Sequence, residues 1–153
     1  MQEFFDILTS NYIINVVFFA WLTAQVLKTI INFVLTKDFS LERLFGAGGM
    51  PSSHTALVIS LVVATGKHCG YSSPNFAMAL AFAAVVMYDA MGVRRAAGEQ
   101  AKIINKMLDE WFVKAKITEQ NVPQIKQLKE LLGHTPIEVF GGAIVGLAVA
   151  LVM

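Results

Sequence analysis

The side chains able to do chemistry gather in two short segments, one early and one late in the chain. The first reads Gly48-Gly49-Met50-Pro51-Ser52-Ser53-His54-Thr55 and runs straight into an apolar stretch. Free backbone N–H groups at such a helix start, with the hydroxyls of Ser52 and Ser53 beside them, form a ready anion site. His54 stands where it can give a proton to a leaving oxygen. Ordinary capping accounts for the same residues: Ser53 would cap the helix and His54 would sit at its entrance.

The second segment reads Gly133-His134-Thr135-Pro136-Ile137-Glu138-Val139, followed by Gly141, Gly142 and Gly146. A carboxylate four residues after a histidine at a helix start can hold one imidazole nitrogen and leave the other as a nucleophile. Thr135 and Glu138 also stand in capping-box spacing, with Pro136 at the first helical position, so a structural role for Glu138 stands beside the chemical one. Gly142 and Gly146 read as close helix packing.

Composition points to membrane helices as the carriers of both segments. Apolar residues make up 56% of the 153 and charged residues 15%, against about 25% charged in an ordinary soluble domain. Mean hydropathy is +0.59. The net charge of +1 gives no field for nucleic acid. The single cysteine, Cys69, cannot form an internal disulfide and reads as apolar filler. The first ten residues hold Glu3 and Asp6 and no lysine or arginine, unlike the basic start of a cleaved signal peptide, so the first apolar stretch is expected to be retained.

Four stretches approach the roughly 20 apolar residues that a spanning helix needs. They run over 12–35, 55–71, 76–93 and 136–153. The second is the weakest, because its apolar run stops at Gly66 and Lys67 must snorkel for it to span. The expected fold is a single all-α membrane domain over 1–153, about four transmembrane helices with a polar cap at 94–134. In the cap, Ala97, Ala101, Ile104, Leu108 and Trp111 fall on one stripe of an amphipathic helix, which either lies on the membrane or covers the bundle. Pro123 opens a second short helix bearing Ile125, Leu128 and Leu132, and Gly133 ends it.

Lysine and arginine set the orientation. The segment before the first span has neither, the 36–53 loop has Lys37 and Arg43, and the cap has eight. Both termini are therefore expected outside, and the cap and the two chemical segments in the cytoplasm. Inside the first span, Gln25, Lys28 and Asn32 share one face, a polar stripe turned toward the bundle. A charge about 10 Å inside a span is functional by default unless it snorkels out. Asp89, one turn before Arg94, also lies within a span and reads as a partner for an arginine. His68 lies on the opposite side and is given no role. Asp89, Glu99 and the histidines follow no recognised metal-ligand spacing.

The two chemical segments together resemble the type 2 phosphatidic-acid phosphatase family, which includes the vanadium haloperoxidases. Its hallmarks are Pro-Ser-Gly-His and a later His-x-Pro-x-Asp-Val-x-x-Gly. Here stand Pro51-Ser52-Ser53-His54 and His134-x-Pro136-x-Glu138-Val139-x-x-Gly142. With Tyr88-Asp89-Ala90-Met91-Gly92-Val93-Arg94-Arg95 and Gly98-Glu99-Gln100-Ala101, the chain looks like the divergent bacterial and plastid branch, over about Ala24 to Gly146. The resemblance implies His134 as nucleophile, Glu138 as its orienting carboxylate, His54 as general acid, and Ser52 and Ser53 as a phosphate cradle.

Three features depart from the family. Its glycine is Ser53, its Lys-x-x-x-x-x-x-Arg-Pro segment is absent, and no Ser-Arg pair precedes His134 at the usual distance. The cations that neutralise phosphate must then come from elsewhere. Arg94 and Arg95 offer guanidinium forks, unless they only anchor the span end; Lys28 is the second source and Arg43 the third.

The implied function is a metal-independent, cofactor-free membrane phosphatase acting on a lipid-linked phosphomonoester or diphosphate through a phosphohistidine. It is expected in a bacterial cytoplasmic membrane, with a homodimer in view. One rival is a non-catalytic protein that binds a phospholipid headgroup or carries a phosphorylated solute. The other is a vanadate-binding halide oxidant.

Overall fold

The computed structural model describes residues 10–37, 49–114, 128 and 134–153, with the side chains at 94, 95 and 112–114 excepted. Among these residues the secondary structure is helical, with no strand. The helices are α1 (Tyr12–Thr36), α2 (Ser53–Cys69), α3 (Pro74–Met91), α4 (Val93–Lys114) and α5 (Pro136–Val152). The second cap helix expected after Pro123 lies outside the described residues, apart from Leu128.

Capping side chains and glycines set most of the helix ends. Asn11 Oδ1 accepts the Ile14 N–H at 3.2 Å to open α1, and Lys37, at φ 57°, closes it with a bond to the Phe33 carbonyl. Ser52, not Ser53, is the cap of α2, accepting the Thr55 N–H at 3.4 Å. That corrects the expected cap by one residue: either serine suits the site chemically, but Ser53 has already entered the helix. Helix α2 stops at Gly70, whose φ of 89° suits glycine alone, two residues before the expected end. Ser73 and Pro74 start α3, and Gly92 separates it from α4.

Helix α2 lies at the centre, packed against α1, α3 and α5, while α1 also touches α5. What packs is small. Ala20 and Ala24 of α1, Ala56 and Ala64 of α2, Ala79 and Ala83 of α3, and Gly142, Gly146 and Ala150 of α5 are buried. A Cβ on Gly142 would run into the Ser52 carbonyl oxygen, and one on Gly146 into that of Ala56. The α2–α5 backbones therefore lie in direct contact, the packing expected for these two glycines. Large apolar side chains point the other way: Phe18, Phe33, Phe82, Val85, Phe140 and Leu151 are exposed. Small residues inside and large ones outside is the pattern of helices packing in lipid. The molecule is an all-α membrane helical bundle.

Helix α1 and the stretch Pro74–Trp111 are long and apolar enough to cross a membrane. The 17 residues of α2 and of α5 extend only about 25 Å. At that end Lys67 does more than snorkel. Its Nζ donates to the Ala150 carbonyl at 2.9 Å, satisfying an oxygen in the last turn of α5, and lies 6.0 Å from the Tyr12 ring centroid. His68 stacks beside the same ring, and Cys69 is a free, half-buried thiol beside Asn75.

The expected stripe on α4 is redistributed. Ala97, Ile104 and Trp111 are exposed, Ala101 and Leu108 are half-buried, and the buried positions are Gly98 and Asn105.

Candidate functional site

The two chemical segments meet at one end of the bundle. The Ser52 N–H donates to the Glu138 carbonyl at 3.0 Å, which joins the start of α2 to the first turn of α5. Ser52 is fully buried, and its Oγ accepts from both the N–H and the Oγ1 of Thr55, the latter at 3.1 Å. Thr55, which the sequence marked with no role, helps fix the serine. Met50 and Pro51 rest on Gly141 of α5, so both sides of the loop turn are held.

His134 is buried, 4% exposed, immediately before the α5 cap. Its Nδ1 lies 3.0 Å from Glu138 Oε2. The same oxygen accepts the Thr135 N–H at 3.1 Å, while Thr135 Oγ1 accepts the Glu138 N–H at 3.3 Å. The two readings of Glu138 therefore coexist, because one carboxylate both closes the capping box and engages the imidazole. With Nδ1 held by the carboxylate, Nε2 is the nitrogen left for other work. The backbone N–H of His134 donates to the Ala90 carbonyl at 3.0 Å. This tether from the end of α3 left no mark in the sequence, since any residue at position 90 carries a carbonyl.

His54 occupies the first turn of α2, half-buried, its ring centroid 6.0 Å from that of His134 and tilted to it by 59°. At that separation the two imidazoles stand within the range of an aromatic pair.

Lys28 reaches the same place from α1. It is 4% exposed, its Nζ lies 3.5 Å from Ser53 Oγ, and its alkyl chain runs against Gly49. Gly49, at φ 87°, takes a conformation that glycine adopts without cost, and so lets the loop approach the lysine. Among the charges nearby, that of Glu138 bears on Lys28. Gln25, one turn away, is buried as well, while Asn32 is half-buried. The polar stripe read from the sequence thus turns inward at Gln25 and Lys28.

The remaining candidates fall differently. Asp89 is half-buried in the last turn of α3, next to the Ala90 that holds His134. Arg94 and Arg95 lie in the first turn of α4, but their side chains are outside the described residues, and Arg43 is outside altogether. The structure therefore brings together His54, His134, Glu138, Ser52, Ser53 and Lys28.

Comparison with known proteins bears on this arrangement. The profile of the divergent PAP2 family matches residues 9–149, which include every one of these side chains. The chain belongs to that family. A relative from Bacillus subtilis (strain 168), the uncharacterized membrane protein YuiD, is 42% identical over 139 residues, covering 85% of each chain. No solved structure matches. Membership in this family and the membrane character of the relative agree with the bundle described above.

Proposed function

We propose that this divergent PAP2 protein is a membrane phosphatase that hydrolyses a lipid-linked phosphomonoester or diphosphate through a phosphohistidine on His134. The observation that carries the reading is the 3.0 Å contact of His134 Nδ1 with Glu138, made beside a buried lysine and a second histidine. Glu138 holds the Nδ1 proton, so Nε2 carries the lone pair that attacks phosphorus. As the N–P bond forms, the ester P–O bond breaks and the leaving oxygen takes its proton from His54. Water then attacks the phosphohistidine, giving a proton back to His54; inorganic phosphate leaves and His134 is restored.

Charge on the transferring group is met by Lys28, by the hydroxyls of Ser52 and Ser53, and by amides at the start of α2. Arg94, Arg95 and Arg43 supply any further cation, and Asp89 orients an arginine. No metal or cofactor takes part in this scheme. By the distribution of lysine and arginine, the site faces the cytoplasm of a bacterial membrane.

One specific feature favours a second reading. The family's Lys-x-x-x-x-x-x-Arg-Pro segment is absent here, so the pocket would bind a phospholipid headgroup, or carry a phosphorylated solute, without turnover. Purified protein assayed on lipid phosphates in excess chelator separates the two. Phosphate release that survives chelation and vanishes in His134→Ala supports the phosphatase. Saturable binding of lipid phosphate with no release supports the second reading.

A further inference from the structure

Helix α4 presents three faces. The packed face holds Gly98 and Asn105, the latter 6% exposed. Asn105 Nδ2 donates to the Leu128 carbonyl and its Oδ1 accepts the Leu128 N–H, both at 2.9 Å. The polar face carries Glu99, Lys102, Lys106, Asp109 and Glu110. Between them lies an apolar face of Ile103, Ile104, Met107 and Trp111, of which Met107 is 64% and Trp111 57% exposed. The site at His134 makes no use of it.

We infer that this third face is seated in the interfacial layer of the membrane that α3 enters, with Trp111 at the level of the headgroups. The placement follows from continuity. Only Gly92 separates the end of α3 from the start of α4 at Val93, so α4 leaves from the membrane surface and cannot travel far from it. The exposed apolar series also does not stop at the break: Val85 and Tyr88 of α3 lead through Val93 into Ile103 and Met107. A soluble partner covering α4 would have to abut side chains that α3 already presents to lipid. A helix with one apolar face, a charged face beside it and a tryptophan among the apolar residues is built to lie along a bilayer interface. Ile103 and Trp111, two turns apart on that face, fix its long axis along the surface.

The seat reaches the chemistry through the chain. Asn105 clamps Leu128, six residues before His134, and the Ala90 carbonyl holds the His134 N–H. Both tethers start from α3 or α4, so a seated α4 steadies the segment that carries His134. The seating itself does not depend on the phosphatase reading.

The chain has two tryptophans, so Trp21→Phe leaves Trp111 as the sole indole. This full-length variant is reconstituted in phosphatidylcholine vesicles whose acyl chains carry bromine either just below the headgroup or near the chain end. Shallow bromine is expected to quench Trp111 at least about twofold more than deep bromine, with little quenching by aqueous iodide. Adding Met107→Asp should shift the emission to the red and reduce the shallow quenching. Strong iodide quenching without quenching by lipid overturns the seating. So does lipid quenching that is indifferent to Met107→Asp. Disulfide cross-linking between two chains through Met107→Cys, in a Cys69→Ala background, would assign the face to a second copy and overturns it as well.

Discussion

The backbone N–H of Ser52 donates to the carbonyl of Glu138, so the residue that caps α2 is hydrogen-bonded to the capping-box glutamate of α5. Behind this bond, Gly142 abuts the Ser52 carbonyl and Thr55. The two chemical segments are thus parts of one rigid junction between α2 and α5. His54 and His134 project from it at a fixed separation, and Lys28 enters it from α1. A movement of α5 against α2 would change the site before it changed the rest of the bundle.

The double duty of Glu138 gives the first prediction. Glu138→Gln keeps a side-chain oxygen for the Thr135 N–H, so thermal stability in detergent should change by no more than about 0.5–1 kcal/mol. Turnover should fall about 10²-fold or more, because a neutral amide no longer favours the tautomer and charge that the nucleophile requires. Full activity in Glu138→Gln would leave Glu138 as a helix cap only. Glu138→Ala should lose both activity and about 1 kcal/mol of stability.

Lys28 separates stability from function in the opposite direction. A lysine 4% exposed, with Ser53 Oγ at 3.5 Å, is held at the expense of desolvation. Lys28→Met keeps much of the length and removes the charge with its desolvation cost, and should leave thermal stability in detergent unchanged or raised. Binding of orthovanadate or inorganic phosphate, followed by isothermal calorimetry, should weaken at least about tenfold. A variant that loses stability while binding the anion normally would make Lys28 a structural residue.

The glycines of α5 test the junction itself. An added methyl meets the Ser52 carbonyl at Gly142 and the Ala56 carbonyl at Gly146, backbone atoms in both cases. Gly142→Ala and Gly146→Ala should each cost about 1–3 kcal/mol, measured by thermal unfolding in detergent. Only Gly142→Ala displaces Ser52, so it should also lower turnover of the folded fraction, whereas Gly146→Ala should not. Equal turnover in the two variants would mean that the Ser52 position does not matter to the chemistry.

What the sequence made legible was local. The capping box at Thr135 and Glu138, Pro136 at the start of α5 and the polar stripe through Gln25 and Lys28 depend on residues within a turn or two of one another. What stayed hidden depended on the backbone of distant residues. The Ala90 carbonyl that holds His134 and the Leu128 amide that Asn105 clamps have no sequence signature. The stripe on α4 straddles two surroundings, with Ala101 and Leu108 beside the packed face and Ala97, Ile104 and Trp111 exposed. Periodicity finds apolar residues, but in lipid both the packed face and the outer face exclude charge. The packed face is marked instead by small or hydrogen-bonding residues, here Gly98 and Asn105.

His54 supplies the last prediction. If it protonates the leaving oxygen, its importance depends on how basic that oxygen becomes when the P–O bond breaks. A lipid alkoxide is a poor leaving group and needs the proton; an activated phenolate leaves without it. His54→Ala should therefore slow single-turnover release of the alcohol from a lipid phosphate by about 10²–10⁴-fold and of 4-nitrophenol from 4-nitrophenyl phosphate by about tenfold or less. Quenching the variant in alkaline denaturant after mixing with radiolabelled aryl phosphate should trap a base-stable, acid-labile phosphoprotein, because His54 also accepts the proton from water in the second step. His134→Ala should give neither turnover nor phosphoprotein with either substrate. If His54→Ala slows both substrates equally, His54 does not act on the leaving group. The 6.0 Å separation of the two rings would then reflect packing at the α2–α5 junction and not a shared substrate.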